Sequence, residues 1–261
     1  MKNAFGKSIH FDCSSGVSSD MMLGALVHLG AGADRVASEL RALGPEDFRL
    51  NVRTVERRGV MGYAATVEII GEDPAHPRNG GHTHSHTSYR DIAERIERAA
   101  IGPGAKRYAL AAYRALAVAE AAAHGVTPDE IHFHEVGSPR AVYTVTGAAI
   151  AAELLGVTAF TCGALTDGSG MVECSHGTIP VPVPAVRELL KRTDIPLYID
   201  ANIETELVTP SGLALIVGLG CRYARTDSDS GAEGLSIGYG FGARDTGLLG
   251  AVRAILTTLR A

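Results

Sequence analysis

Two histidines and a glutamate lie within four residues of one another, at His132, His134 and Glu135. If this segment is an extended strand, the imidazoles of His132 and His134 point to the same face and could bind one metal ion, such as nickel, zinc, iron or manganese. If it is a helix, His132 and Glu135 share a face instead. A pair of surface or hydrogen-bonded histidines would have the same spacing, so the sequence predicts candidate metal ligands and leaves this alternative open.

A second group of histidines alternates with other residues at His82, His84 and His86, and His76 precedes it. The surrounding segment, residues 72–88, is rich in Gly, Pro, Asn and His, which predicts a loop that is poorly ordered without metal. Such a loop can wrap around Ni²⁺ or Cu²⁺, although a solvated His-rich linker would look the same. We expect it to bind metal ions without forming a preorganised catalytic site.

Asp12 and Asp20 flank a loop of small residues, 13–19, that leads into a predicted helix. Backbone amides at the start of a helix can bind a phosphate or a carboxylate. The candidate cofactor-binding residues of this loop are Ser15, Gly16 and Ser18. The loop lacks the Lys of a Walker nucleotide-binding loop. For Asp20, capping the helix is the simpler role.

Two further patterns lack the context that a catalytic motif requires. Cys174 and His176 are two residues apart, but no third group orients them as a nucleophile pair, so we prefer a metal or phosphate contact from His176. The Gly-rich stretch 238–245 lacks the strand-then-helix context of a dinucleotide-binding fingerprint, and we expect residues 234–242 to form a turn.

The elements that must position these residues follow from hydrophobic periodicity and from Gly and Pro. Helices are predicted over 20–29, 33–43, 89–100, 104–124, 142–155, 185–192 and 210–217. Strands are predicted over 8–13, 48–58, 60–70, 158–164, 171–174 and 251–258. Residues 127–130 look like a helix start, and 131–137 are ambiguous between strand and helix. We predict an α/β (mixed α+β) fold, with a mixed sheet packed against several helices in one domain over 1–261.

Composition excludes several classes of protein. Apolar residues make up 46% and charged residues 20%, which is typical of a globular protein. The net charge of −5, without a basic block, argues against binding to nucleic acid or to an anionic membrane. No apolar run approaches the roughly 18–20 residues of a membrane span. The four cysteines form no CxxC pair, which predicts reduced thiols and a cytoplasmic location.

Six blocks of sequence, in the same order, resemble the nickel-insertion protein family of lactate racemase maturation, the nickel-pincer cofactor cyclometallases. The blocks are 11–26, the His-rich loop before 89–92, 132–137, 176–185, 206–212 and 238–245. The resemblance implies insertion of nickel into a pyridinium-3,5-bisthiocarboxylic acid mononucleotide, with carbon–nickel and sulfur–nickel bonds formed. It also implies dependence on CTP, with manganese or magnesium as a further metal.

The resemblance also assigns roles to residues of this chain. It implies that His132, His134 and Glu135 are metal ligands or lie near them. It implies that the loop histidines named above capture nickel. It implies a catalytic role for three further residues, Asp12, Asp20 and His176. They become candidates for lining the cavity that holds the substrate or metal.

This chain departs from the family at several positions. Arg140 and Thr144 stand where the family has two aspartates four residues apart, and Ser19 stands where a Gly is usual. Losing two carboxylates and gaining a cation should weaken binding of a divalent metal. The chain also stops where the family's first domain ends. We therefore expect a separately encoded C-terminal domain to bind CTP, and we expect the chain to form a homo-oligomer.

Three hypotheses about function follow. The first is a nickel-binding subunit of a lyase-class nickel chelatase that needs the separate CTP-binding domain. The second is a non-catalytic, diverged paralogue that binds or carries a metal or a metallated cofactor, which Arg140 and Thr144 favour. The third is a metal-dependent hydrolase, for which the same histidines and Asp12 would serve.

Overall fold

A computed structural model of the chain describes residues 6–71, 87–174, 177–225 and 236–258. Its helices are α1 (Ser19–Leu26), α2 (Ala33–Leu40), α3 (Tyr89–Arg98), α4 (Pro103–His124), α5 (Pro139–Leu154), α6 (Pro184–Leu190) and α7 (Pro210–Gly218). Its strands are β1 (Lys7–Asp12), β2 (Phe48–Arg57), β3 (Val60–Ile69), β4 (Thr87–Ser88), β5 (His132–Phe133), β6 (Ala159–Cys162), β7 (Leu165–Asp167), β8 (Met171–Cys174), β9 (Gly177–Pro180), β10 (Leu197–Ile199), β11 (Arg222–Tyr223), β12 (Ser236–Phe241) and β13 (Ala251–Thr258).

A mixed seven-stranded sheet forms the centre of the fold, in the order β11-β6-β1-β13-β12-β3-β2. β1 pairs parallel with β6 and antiparallel with β13, and β12 pairs parallel with β3. Ile9 and Phe11 of β1 are fully buried, as expected for a strand in the middle of a sheet. The predicted α/β fold with a mixed sheet is therefore confirmed.

The predicted hairpin is formed by β2 and β3, which pair antiparallel from Phe48↔Ile69 to Arg57↔Val60. Its two turn residues, Arg58 and Gly59, have φ of +54° and +76°. Two residues in the left-handed region give a turn whose twist matches that of the strands.

The prediction for residues 234–242 is wrong. Residues Ser236–Phe241 are the strand β12, paired on both sides within the sheet, rather than a Gly-rich turn. The glycines serve close packing, because a Cβ on Gly240 would lie 1.9 Å from the backbone oxygen of Met21 and one on Gly238 would lie 2.4 Å from that of Ala25. Helix α1 thus lies directly on this strand.

The helices cover the sheet and one another. α1 contacts β3 and β12 as well as α5, and α4 packs against α5, α6 and α7. The close approach of α4 and α7 depends on Gly218, where a Cβ would lie 2.6 Å from the amide nitrogen of Ala112. Buried apolar side chains of the described residues form one large cluster that draws on both the sheet and the helices. None of the described helices is long and apolar enough to cross a membrane.

The ambiguous segment 131–137 is extended at its start. β5 pairs antiparallel with β4, so that His132 lies opposite Ser88. Phe133 is buried while His132 and His134 are exposed on the other side, as the extended interpretation predicts. The helix start predicted at 127–130 is wrong, because this segment forms a turn in which the Glu130 carboxylate accepts hydrogen bonds from the amide and hydroxyl of Thr127.

Candidate functional site

A cavity of about 370 Å³ lies where several helix ends meet. Its wall includes the first residues of α1, α5, α6 and α7, the last turn of α4, the segment that follows β5, and the hairpin formed by β8 and β9. Since these elements come from residues 19 to 211 of the sequence, the fold builds the cavity from segments that are far apart in the chain.

Three of the helices that begin at the cavity are capped by a hydroxyl side chain. Ser18, Ser138 and Thr209 accept hydrogen bonds from amides in the first turns of α1, α5 and α7. At the cavity wall, the hydroxyl of Ser211 donates to that of Ser19 over 3.2 Å. The positive ends of three helix dipoles therefore converge on this part of the cavity, which favours an anionic group.

The loop 13–19 is held in place by the segment that leads into α7. The amide of Val17 donates to the Leu207 carbonyl, and the amide of Thr209 donates to the Val17 carbonyl, each over 2.9 Å. Gly16 has φ +86°, and a Cβ there would lie 2.3 Å from the Leu207 oxygen. Only glycine can occupy this position without displacing the loop.

The candidate cofactor-binding residues of this loop are Ser15, Gly16 and Ser18. Several polar groups of the loop already form hydrogen bonds within the protein. The amide of Ser14 donates to Asp12, and that of Gly16 donates to the Cys13 carbonyl. Ser19, the last residue of the loop, lies at the cavity wall. Direct contact of the loop with a ligand stays a prediction.

Asp12 lies at the end of β1, away from the residues that line the cavity. One carboxylate oxygen accepts from the Ser14 amide over 3.1 Å, and the other lies 2.9 Å from the guanidinium of Arg253 on β13. This arrangement connects the sheet to the loop 13–19, and a catalytic role for Asp12 stays a prediction.

Asp20 and Arg140 form an ion pair between the first turns of α1 and α5, with 2.6 Å between Oδ2 and Nη2. Burial raises the pKa of the Asp20 carboxyl, and Arg140 and Thr144 offset part of that increase. Among the described residues, Asp20 Oδ1 has no hydrogen-bond partner although it is buried. Ser18 caps α1, so Asp20 is not its cap. The exposed part of Arg140 lines the cavity.

His132, His134 and Glu135 all line the cavity, so the structure brings the predicted ligand residues to one site. His124 and Glu120, on the last turn of α4, line it as well. The rings of His124 and His134 have centroids 6.4 Å apart, and His124 Nε2 lies 3.8 Å from Glu120 Oε2. Across the described ranges, no three His, Cys, Asp or Glu side chains are placed closely enough to hold a metal ion in their present rotamers.

No motif in the sequence marks Glu120 and His124 as candidate ligands. They are four residues apart, which places them on one face of α4, and His124 is the last helical residue before Gly125, whose φ is +71°. A Glu and a His at this spacing are common on exposed helices, so nothing in the sequence connects them with His134.

A further carboxylate, Glu206, lines the cavity near the start of α7. Burial raises its pKa, the nearby Arg244 opposes that increase, and Asp167 and Glu135 add to it. Arg244 lies 3.4 Å from the Glu206 carboxylate and donates to the Thr205 hydroxyl over 2.8 Å. Asp167 is fully buried and accepts hydrogen bonds from the amides of Gly168, Leu207 and Val208.

The family model described as "Nickel insertion protein" matches residues 9–261. The chain belongs to the nickel insertion protein family. It is 35% identical over 249 residues to the pyridinium-3,5-bisthiocarboxylic acid mononucleotide nickel insertion protein of Acetivibrio thermocellus, with 95% of this chain and 60% of that protein covered.

Two further relatives are named putative nickel insertion proteins. That of Thermomicrobium roseum is 39% identical over 237 residues, which cover 90% of this chain and 54% of the relative. That of Cyanothece sp. PCC 7425 is 39% identical over 218 residues, which cover 82% and 51%. The chain thus spans between half and three-fifths of the length of these curated relatives. No solved structure matches.

The family resemblance predicted from the six blocks is confirmed. The blocks at 132–137 and 206–212 both contribute to the cavity of this nickel insertion protein, and so does Ser19 from the first block. His82, His84, His86 and His176 lie outside the described residues. Their roles in metal capture and in the cavity stay predictions.

Proposed function

We propose that this chain is the nickel-binding and substrate-binding part of a system that inserts nickel into pyridinium-3,5-bisthiocarboxylic acid mononucleotide. The observation that carries the proposal is the polarity of the cavity. Helices α1, α5, α6 and α7 begin at its wall, whereas α4 ends there. The cavity therefore offers a side for an anion and a side for a cation.

The side for the anion suits the phosphate of a mononucleotide. The first turns of α1 and α7 contribute the hydroxyl groups of Ser19 and Ser211, and α5 adds the guanidinium of Arg140. Arginine and helix N-termini are both common phosphate-binding groups. Because Arg140 is already paired with Asp20, a phosphate would share its guanidinium with that carboxylate.

The side for the cation suits nickel as the second substrate. Imidazole nitrogens and carboxylate oxygens from His124, His132, His134 and Glu135 line it. Imidazole is a suitable ligand for nickel, so a site of this composition can hold the ion before it passes to the two thiocarboxylates of the substrate. When nickel bonds to a ring carbon, the C–H bond at that carbon breaks and its proton must leave. The carboxylates of Glu135 and Glu206 line the cavity and are candidates to accept that proton.

The remaining components extend this proposal. The His-rich loop would raise the local concentration of nickel before transfer. A separate CTP-binding domain would complete a lyase-class reaction, with manganese or magnesium assisting, in a homo-oligomeric assembly. On this basis the chain alone should bind nickel and the mononucleotide but should not join them when supplied with nickel and CTP.

The test is reconstitution with full-length chain, Ni²⁺, CTP and the unmetallated mononucleotide, with and without the CTP-binding segment of a longer relative. Mass spectrometry should detect the nickel-bound mononucleotide only when that segment is added. Turnover by the chain alone would contradict the division of labour, and absence of turnover with both parts would contradict the proposed function.

A second candidate is a non-catalytic carrier of nickel or of the metallated mononucleotide. The Asp20–Arg140 pair favours it, because a guanidinium here neutralises a carboxylate that could otherwise help to bind a cation. Calorimetry separates the two candidates. A carrier should bind the metallated product at least as tightly as its precursor, whereas an insertion subunit should release the product.

A further inference from the structure

We propose that Glu120 and His124 of α4 combine with His134 to form the ordered site for the divalent cation. The identity of the ion as Ni²⁺ rests on the proposed function, but the site itself rests on geometry. It differs from the motif at 132–135 because two of its three members come from another element, α4, which precedes that motif in the chain.

The distance between the two rings fits a shared ion. Metal ions bind imidazole nitrogen at about 2.0–2.1 Å, so two rings on one ion have centroids about 4.5–6.5 Å apart, depending on the angle between them. The centroids of His124 and His134 are 6.4 Å apart. This separation lies at the upper end of the range, so a shared ion requires the two rings to turn toward each other.

Glu120 supplies the carboxylate. It lies one helical turn before His124, and its Oε2 is 3.8 Å from His124 Nε2. From this position it can bind the ion directly or accept a hydrogen bond from the second ring nitrogen of His124, which fixes the orientation of a ligand histidine. Both residues lie in the last turn of α4, where the i, i+4 spacing places them on one face of the helix.

The two histidines of the motif lie against different elements. His134 is close to His124 on α4. His132 is paired through its backbone with Ser88 and lies close enough to Asp91 on α3 to contribute to the lowered pKa of that carboxyl, after the larger effect of hydrogen bonds from Ser88. His134 is therefore the better placed of the two to share an ion with α4.

Further carboxylates in the wall of the cavity favour binding of a cation. Glu135, Glu173 and Glu206 line the same cavity, and the C-terminus of α4 adds the negative end of a helix dipole. The guanidinium of Arg140 also lines the cavity but is paired with Asp20, which reduces its repulsion of an ion.

The test is titration of NiCl₂ into the full chain, followed by calorimetry, in a background where His76, His82, His84 and His86 are alanine. In that background we expect His124→Gln and His134→Gln each to weaken nickel binding at least tenfold, and Glu120→Gln to weaken it severalfold. X-ray absorption should show one imidazole fewer on nickel in each histidine variant. His132→Gln should have a smaller effect.

Two control variants match the chemistry of these substitutions. Glu94→Gln removes the carboxylate of another i, i+4 pair on an exposed helix face, and His10→Gln removes a histidine hydrogen-bonded to Thr161 on the sheet. Both should bind nickel as the background does, and melting temperatures should show that all variants fold. Binding that is unchanged by His124→Gln and Glu120→Gln but lost with His132→Gln would overturn the proposal.

The outcome is distinguishable from failure of the proposed function. If the α4 variants lose nickel as expected but reconstitution yields no metallated mononucleotide, the site stands and the proposed function fails. If reconstitution succeeds and the α4 variants bind nickel normally, the function stands and this site assignment is wrong.

Discussion

The guanidinium of Arg140 lies 2.6 Å from the carboxylate of Asp20, and this ion pair joins the first turn of α5 to the first turn of α1 at the edge of the cavity. The hydroxyl of Thr144, one turn further along α5, donates to the Arg140 carbonyl and is almost fully buried. Arg140 and Thr144, two of the positions expected to depart from the family pattern, are therefore adjacent to Asp20, a candidate catalytic residue.

Asp20→Asn should change how stability depends on pH. Burial raises the folded-state pKa of Asp20 above its ordinary value of 3.8, so the folded protein binds a proton here more readily than the unfolded chain does. This residue therefore reduces the stability of the wild type progressively as pH rises from about 3.8 through the folded-state pKa. As pH increases over this interval, urea unfolding should show Asp20→Asn gaining stability relative to the wild type. Asp34→Asn, an exposed acid in the first turn of α2, is the control and should show no such gain.

Replacing Arg140 and Thr144 by Asp should make the protein more responsive to metal. The double variant places two new carboxylates beside Asp20 and removes its cationic partner, which destabilises the protein unless a cation binds. Melting temperature should fall without metal and should rise more than that of the wild type on addition of Ni²⁺ or Mg²⁺. Arg90→Asp, on the exposed surface of α3, changes charge without approaching Asp20 and should show no added response. An equal response of the double variant and the wild type would contradict this expectation.

Deleting residues 82–86 should reduce the number of nickel ions bound without changing stability. The sequence predicts a loop whose histidines bind metal but contribute nothing to the core. Calorimetry should give a lower stoichiometry, and thermal unfolding should give an unchanged melting temperature. A substitution of the same five residues by Gly and Ser controls for loop length. A large fall in melting temperature would show that the segment is structural.

Gly240→Ala should destabilise the fold by about 3 kcal/mol or more, since overpacking against backbone cannot be relieved by turning a side chain. The new Cβ would lie 1.9 Å from the Met21 carbonyl oxygen. Gly242→Ala is the matched control two residues further along, where the nearest atom is the flexible Met21 sulfur at 3.3 Å. Urea unfolding should show only a small loss of stability for Gly242→Ala. Similar losses at both positions would mean that α1 can shift away from β12.

The contrast at Gly238 and Gly240 shows where sequence reasoning reaches its limit. Glycine is depleted in strands because it lacks a side chain to pack, so a Gly-rich segment predicts a turn. Here the absence of a side chain is what allows α1 to rest on β12. Since that close approach is a tertiary contact between residues more than 200 positions apart, no local pattern reports it.

The candidate site was also only partly predictable from the sequence. The order of helices and strands, and the shared face of His132 and His134, follow from local periodicity, which requires only neighbouring residues. Glu120 and His124 could not be connected with them, because their relation to His134 depends on how α4 ends against the segment after β5. The Asp20–Arg140 pair was missed for the same reason, since it joins residues 120 positions apart.

The pairing of β1 with β13 has a consequence for synthesis of the protein. Lys7 lies opposite Thr258, so the strand that is made early in translation finds one of its two neighbours only among the last residues described. At about 5–20 residues per second, β1 waits roughly 10–50 s for that neighbour. Throughout this interval β1 lacks one of its two neighbours, and β12 has an unpaired edge from the time it is made until β13 follows. A nascent chain stalled before residue 251 should therefore be protease-sensitive, dependent on chaperones and prone to aggregate, even though all of its described helices have already been synthesised.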